Sequence, residues 1–273
     1  MFRFGRFAFA AAALLAISTG PVSAHEFWIE PDAHKVPNGA DFSADLKVGQ
    51  NFVGAVFPYL SNRFRSYTIT DPSGTRKNVG AEGDIPSLRI GEAPPGLHII
   101  SYHSTADSLT FDLWDDFVEY IAYEGNSWAA DAHLSAGFPR TGFSEQYTRC
   151  AKTLVQVGEP ARADVDRAIG CPLEIVAKVS PYRLEASPDG REIPVRLLWQ
   201  GKPLAGQQIN IFRRGDAITR TTVVTDADGH ATIPVLLGSA YLLSAVHMYR
   251  APADSAALWL SYWASLTFEI GWQ

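Results

Sequence analysis

Sulfur is scarce in this sequence: two cysteines, Cys150 and Cys171, and two methionines in 273 residues. That excludes a disulfide-dense scaffold, and the cysteines lack the C-x-x-C spacing of a thiolate metal pair. Basic charge is short as well, with 23 Lys and Arg against 29 Asp and Glu. Such a balance disfavours nucleic acid and anionic lipid as partners. No G-x-S-x-G, P-loop, H-E-x-x-H or glycine-rich dinucleotide fingerprint occurs. Asp226, Asp228 and Gly229 begin a calcium-loop pattern that stops short, and they read as a hairpin turn. Beyond Ile17 no uncharged apolar run reaches the about 18 residues of a membrane span.

What is present begins with an export signal. Arg3 and Arg6 supply positive charge, Phe7 to Ile17 is apolar, and Val22-Ser23-Ala24 offers small residues to a signal peptidase. Cleavage after Ala24 makes His25 the first residue. It removes two arginines and no acid, so the net charge moves from −6 to −8. The expected location is the periplasm. In an oxidising compartment Cys150 and Cys171 are expected to pair, closing a loop of about 20 residues worth roughly 3 kcal/mol, with free thiols as the alternative.

The rest of the pattern is mainly β. Phe42, Ala44, Leu46 and Val48 alternate as on a half-buried strand, and Ser66–Thr70 and Leu97–His103 read as two more. Trp114 to Glu124 carries helical spacing and is stopped by Gly125, and Trp128 to Leu134 reads as a second short helix. Ser144 to Ala151 reads as a helical turn leading into a strand at Thr153–Val157. Six strand patterns between Ile193 and Ile270 have the rhythm of an immunoglobulin-like or transthyretin-like sandwich. The expected organisation is a signal peptide (1–24), an N-terminal β domain (25–110), a short helical and connecting segment (111–170) and a C-terminal β-sandwich (171–273).

Chemistry falls to the histidines. Once cleavage frees its amine, His25 can chelate one ion through that amine and the imidazole, the arrangement called a histidine brace. A further imidazole would give three nitrogens, which suits copper, nickel or zinc. On the strand 97–103, His98 shares a face with Ile100 and Tyr102, and His103 with Leu97, Ile99 and Ser101. His247 shares a face with Tyr241, Leu243 and Ala245. His34 lies near His25 in sequence, and His133 and His230 read as exposed loop residues. Seven tryptophans suit core and interface packing, or a flat glycan-binding face if they line up.

Several segments resemble, in order, an exported bacterial family of unknown function often labelled as a periplasmic component of nickel or cobalt uptake. His25-Glu26-Phe27-Trp28-Ile29-Glu30-Pro31 resembles its start. Phe117 to Gly125 resembles its F-x-x-Y-L-x-x-E-G helix, and Glu145 to Lys152 its E-x-Y-x-R-x-A-K segment. Leu173-Glu174-Ile175-Val176, Ser180-Pro181-Tyr182, Gly201-Lys202-Pro203-Leu204, Thr225 to Gly229 and Trp263 to Glu269 continue the series. The resemblance implies a β-rich protein in two parts that handles nickel or cobalt. It carries over His25 and His247 as metal ligands, with His103 third. The leading expectation is a non-enzymatic periplasmic protein that takes up or buffers nickel or cobalt, or copper, possible partners being the metal ion and a membrane transporter or receptor. The alternatives are a copper histidine-brace oxidase and a metal-free interaction module of a transport system.

Overall fold

The computed structural model describes residues 26–184 and 191–271; the expected signal peptide and His25 lie outside them. Strands β1 (Glu26–Pro31), β2 (Lys35–Val36), β3 (Phe42–Gln50), β4 (Val53–Phe57), β5 (Phe64–Asp71), β6 (Gly74–Lys77), β7 (Leu88–Ile90), β8 (Gly96–Ser104) and β9 (Asp107–Phe111) precede two helices, α1 (Trp114–Tyr123) and α2 (Trp128–Ser135). Then come β10 (Phe143–Val157), β11 (Leu173–Ala177), β12 (Arg191–Trp199), β13 (Lys202–Pro203), β14 (Gln208–Arg214), β15 (Ile218–Val224), β16 (His230–Val235), β17 (Ser239–Arg250) and β18 (Trp259–Ile270).

A ten-stranded sheet runs β15-β14-β17-β18-β10-β8-β5-β6, with β2 and β9 also on β10. It takes strands from both β blocks of the sequence. β10 joins them: it pairs in parallel with β18 from Glu145↔Trp259 to Thr153↔Thr267, and antiparallel with β9 and then β8 along its other edge. The helical turn expected over Ser144–Ala151 is therefore strand. Its hydrophobic alternation is hidden because one face carries Glu145, Tyr147 and Arg149, polar side chains that turn toward other buried layers.

Side-chain alternation gives the sheet two differently covered faces. Leu97, Ile99, Leu154, Leu243, Leu266 and Phe268 pack against the small sheet β11-β12-β13 with β16 on β12. On the opposite face, Ile100, Tyr102, Ala151 and Val155 pack under Phe27, Ile29 and Leu46 of the sheet β1-β3-β4. Beside that sheet, Val246, Met248, Trp259 and Trp263 pack under Phe117, Tyr120 and Ile121 of α1 and Ala129 of α2. The result is three layers, mainly β. Among the described residues no helix is long and apolar enough to cross a membrane.

Cys150 and Cys171 form the expected disulfide, their Cα atoms 6.2 Å apart. Nearby, Lys152 Nζ lies 2.9 Å from Asp166 Oδ2 and 3.3 Å from Glu174 Oε1, and all three side chains are buried. Asp166 also accepts from the Ala177 amide, and Glu174 from the amides of Ile169 and Gly170. Removing one partner of a buried ion network strands the remaining charges, typically at about 3–5 kcal/mol. Lys152→Met should lower the urea midpoint, and with it the unfolding free energy by an amount in that range. Neutralising the two acids in the same chain (Asp166→Asn with Glu174→Gln) should recover part of the loss. An unchanged midpoint for Lys152→Met would show that the network contributes nothing.

Candidate functional site

Three buried glutamates, Glu26, Glu124 and Glu145, lie near enough for Glu124 to feel the charges of the other two, where β1 begins and α1 ends. Each is put there by a local feature of the chain. Glu26 opens β1, opposite Gly49 of β3. The β3–β4 hairpin turns through Asn51 and Phe52, both in the left-handed region at φ 54° and 60°. Two central residues at positive φ suit a tight two-residue hairpin, although a phenylalanine pays in strain there. The turn puts Asn51 Oδ1 within 3.1 Å of the Tyr123 hydroxyl and the Phe52 ring 5.5 Å from that of Trp28. The Tyr123 hydroxyl also reaches Glu26 Oε1 at 3.2 Å.

Glu124 caps the C-terminal end of α1. The chain leaves the helix through Gly125 at φ +73°, where a Cβ would come 2.5 Å from Gln208 Cβ. The glycine thus lets the last helical turn settle on β14. There Asn210 Nδ2 donates to Glu124 Oε2 at 2.9 Å and Gln208 Nε2 donates to the Tyr123 carbonyl at 2.9 Å. Arg220 lies over the Tyr123 ring, 3.7 Å from its centroid, and donates to Asn210 Oδ1. Glu145, on β10, accepts from the Tyr120 hydroxyl at 2.9 Å and from Ser261. Trp263 Nε1 in turn donates to Ser261 Oγ at 2.9 Å.

Burial is the main reason all three acids hold their protons. Glu26 is pushed up to about 7, against pull from the Tyr123 hydroxyl and the Asn51 and Phe52 amides. Glu124 is pushed to about 8 by burial and then by the charge of Glu26, with Arg220 and Asn210 opposing. Glu145 is pushed to about 7, with Ser261 and Tyr120 opposing. A carboxylate at a helix C-terminus also faces the negative end of the helix dipole. Glu26 Oε2 and Glu145 Oε2 are buried and accept no hydrogen bond among the described residues. The charges that pull against burial come from Arg220 at Glu26 and Glu124 and from Arg149 at Glu145.

The histidines lie elsewhere. His103 and His247 both project from the face of the central sheet opposite β1, since they share faces with Leu97 and Ile99 and with Leu243 and Ala245. Strands β18 and β10 separate β17 from β8, so the two rings are roughly 14 Å apart across the sheet. The structure therefore does not bring them together, nor to the start of β1; strand parity is the reason. His247 packs against Trp199, ring centroids 4.8 Å apart, with Nδ1 3.4 Å from Gln207 Oε1. His34 is buried against the Leu154 carbonyl and pushed down to about 4 by burial. His133 is not an exposed loop residue: it is fully buried in α2, receiving the Trp259 indole N–H at Nδ1 and reaching the Pro139 carbonyl through Nε2. Among the described residues, no three His, Cys, Asp or Glu side chains come together to hold a metal ion.

Reading the histidines alone missed Glu26, Glu124 and Glu145. The signal was present: Tyr120 and Glu124 are one helical turn apart in an apolar helix, and all three acids belong to the segments that carry the family resemblance. The family described as "Domain of unknown function (DUF4198)" matches residues 22–249. None of the curated proteins matches the chain. A solved structure, "D0-D1 domain of Intimin", is 14% identical, with 88% of this chain and 97% of that chain covered and a TM-score of 0.22.

Glu145 allows a pH test. Its folded pKa, about 7, lies above the ordinary 4.5, so the folded protein keeps a proton that the unfolded chain releases. Its contribution to stability is present below about pH 4.5 and is lost as pH rises through about 7, up to on the order of 3 kcal/mol. Glu145→Gln should flatten the fall in unfolding free energy between about pH 4.5 and 7 by that order. Equal slopes for the two proteins in urea melts would rule the assignment out.

Proposed function

We propose that this chain, which belongs to the DUF4198 family, is an exported transition-metal-binding protein whose site forms where the processed N-terminus enters β1. The observation that carries this reading is the buried acid pair Glu26 and Glu124, with an oxygen of Glu26 that lacks a hydrogen bond among the described residues and a carboxylate at the negative end of α1. His25 is covalently joined to Glu26. Cleavage after Ala24 would give it a free amine beside its imidazole.

Two nitrogens from one residue and carboxylate oxygens from Glu26 and Glu124 form a donor set for a divalent transition-metal ion; the family resemblance puts nickel or cobalt first and copper second. Burial outweighs the pull of Arg220 on both acids, and a bound divalent ion would offset that cost by supplying positive charge. Glu26 and Glu124 would shed the protons they hold at neutral pH when it binds. Tyr123 and Asn210 orient the two carboxylates, and α1 shields them from water. In this reading the carboxylates take the place given in sequence to His103 and His247. Uptake or buffering in the periplasm, with delivery to a membrane transporter, is the role that follows.

The test is calorimetric titration of nickel, cobalt and copper ions into protein that begins at His25. Binding at about micromolar Kd or tighter is expected for at least one ion. An added N-terminal glycine should weaken it by at least about tenfold, since it moves the amine. Glu26→Gln should also weaken it, whereas His103→Gln and His247→Gln should leave it unchanged. Equal affinity with and without the glycine would sink the proposal.

A further inference from the structure

A second polar cleft lies on the other face of the central sheet, beyond the small sheet that covers its middle. Ser66, Thr68 and Thr70 alternate along β5 on one face, and Ser101 and His103 stand beside them on β8, in the register Ser66↔His103 and Thr68↔Ser101. The facing wall is the segment Arg167–Cys171, and the cleft holds about 470 Å³. Its lining contains hydroxyls, one imidazole and one guanidinium, and no carboxylate. That is unusual in a chain with 29 acids and 23 basic residues.

Two hydroxyl pairs shape the floor: Thr68 Oγ1 with Ser101 Oγ at 2.8 Å and Thr70 Oγ1 with Thr75 Oγ1 at 2.9 Å. In each pair one hydroxyl donates to the other, and the acceptor's own hydrogen remains to point at a ligand. Arg167 is exposed and makes no ion pair among the described residues. The proton affinity of His103 is lowered by burial and then by the charge of Arg65, and no nearby acid opposes this.

The wall is built to stay in place. The disulfide fixes Cys171 to β10, Glu174 takes the amides of Ile169 and Gly170, and Asp166 Oδ1 takes the amide of Arg167. Lys152 ties both acids to β10. A buried ionic network is a poor source of stability in itself, but it holds an otherwise thinly packed segment rigid. A preorganised wall lowers the entropic cost of binding.

We propose that this cleft binds a tetrahedral oxyanion carried on a small polar molecule, a phosphate or sulfate monoester. Arg167 pairs with the anion, and the hydroxyls of β5 and β8 with His103 donate to its oxygens and to its polar body. This site is separate from the one at the start of β1 and does not rest on it.

The experiment is a titration of the processed full chain with glucose 6-phosphate, glucose 6-sulfate, inorganic phosphate and glucose, followed by amide chemical shifts and calorimetry. At least one ester should bind with Kd below about 10 mM, and glucose should not. Preference for the phosphate or the sulfate ester identifies the source, and either supports the proposal. Inorganic phosphate binding as tightly as the esters also supports it, placing the affinity in the anion. Arg167→Gln should weaken binding by about tenfold or more, the usual loss for a charge-assisted contact. Arg167 is exposed, so that variant should keep the parent melting temperature; His103→Gln provides a second variant and should weaken binding less. The proposal is overturned if no ester binds, if glucose binds equally well, or if both variants bind like the parent.

Discussion

β10 has to satisfy two unlike interiors at once. Along its fifteen residues, alternate side chains face opposite layers. Glu145, Tyr147, Arg149, Ala151 and Val155 look toward the helices and the β1 sheet, while Cys150, Lys152 and Leu154 look toward the β11–β12 sheet. The position of both polar regions follows from this single alternation. Glu145 belongs to the acid pocket on one face, and Cys150 and Lys152 anchor the wall of the hydroxyl-lined cleft on the other. A slip of one residue in the β10–β18 pairing would exchange every one of these assignments.

The acid pocket is a place where the fold gives up stability. Three carboxyl groups are removed from water beside two guanidiniums, Arg220 acting on Glu26 and Glu124 and Arg149 acting on Glu145, and burial still raises their proton affinity. Tyr120, Tyr123, Asn210 and Ser261 supply neutral hydrogen bonds, which satisfy geometry without supplying charge. The buried triad at Lys152 is the opposite case: its cation is present, and its acids also accept backbone amides. The contrast is between acids bridged by a buried ammonium and acids held mainly by neutral hydrogen bonds.

Much of the fold was legible in the sequence because it follows from local rules. The alternation of Phe42 to Val48, the helix stopped by Gly125 and the pairing of the two cysteines, Cys150 with Cys171, all appear where periodicity, turn chemistry and cysteine count put them. The strand over Ser144–Ala151 was not legible, since hydrophobic alternation fails wherever a buried face is polar. The acid pocket was only partly legible. Parity fixed which neighbours His103 and His247 accompany, but not which layer covers that face, and this decides whether they can reach β1. Glu26 enters the neighbourhood of Glu124 and Glu145 from a strand nearly a hundred positions earlier in the chain, and no local pattern reports that kind of approach.

The parallel pairing of β10 with β18 also sets the order of events during folding. Residues 145–153 find their partners at 259–267, more than a hundred positions later. The middle of the central sheet therefore stays open until nearly the whole chain is available. Such long-range closure is slow and leaves strand edges exposed in the meantime. The last strand to arrive, Trp259–Ile270, is the one that lets the sheet close, so one edge of β10 waits for the end of the chain.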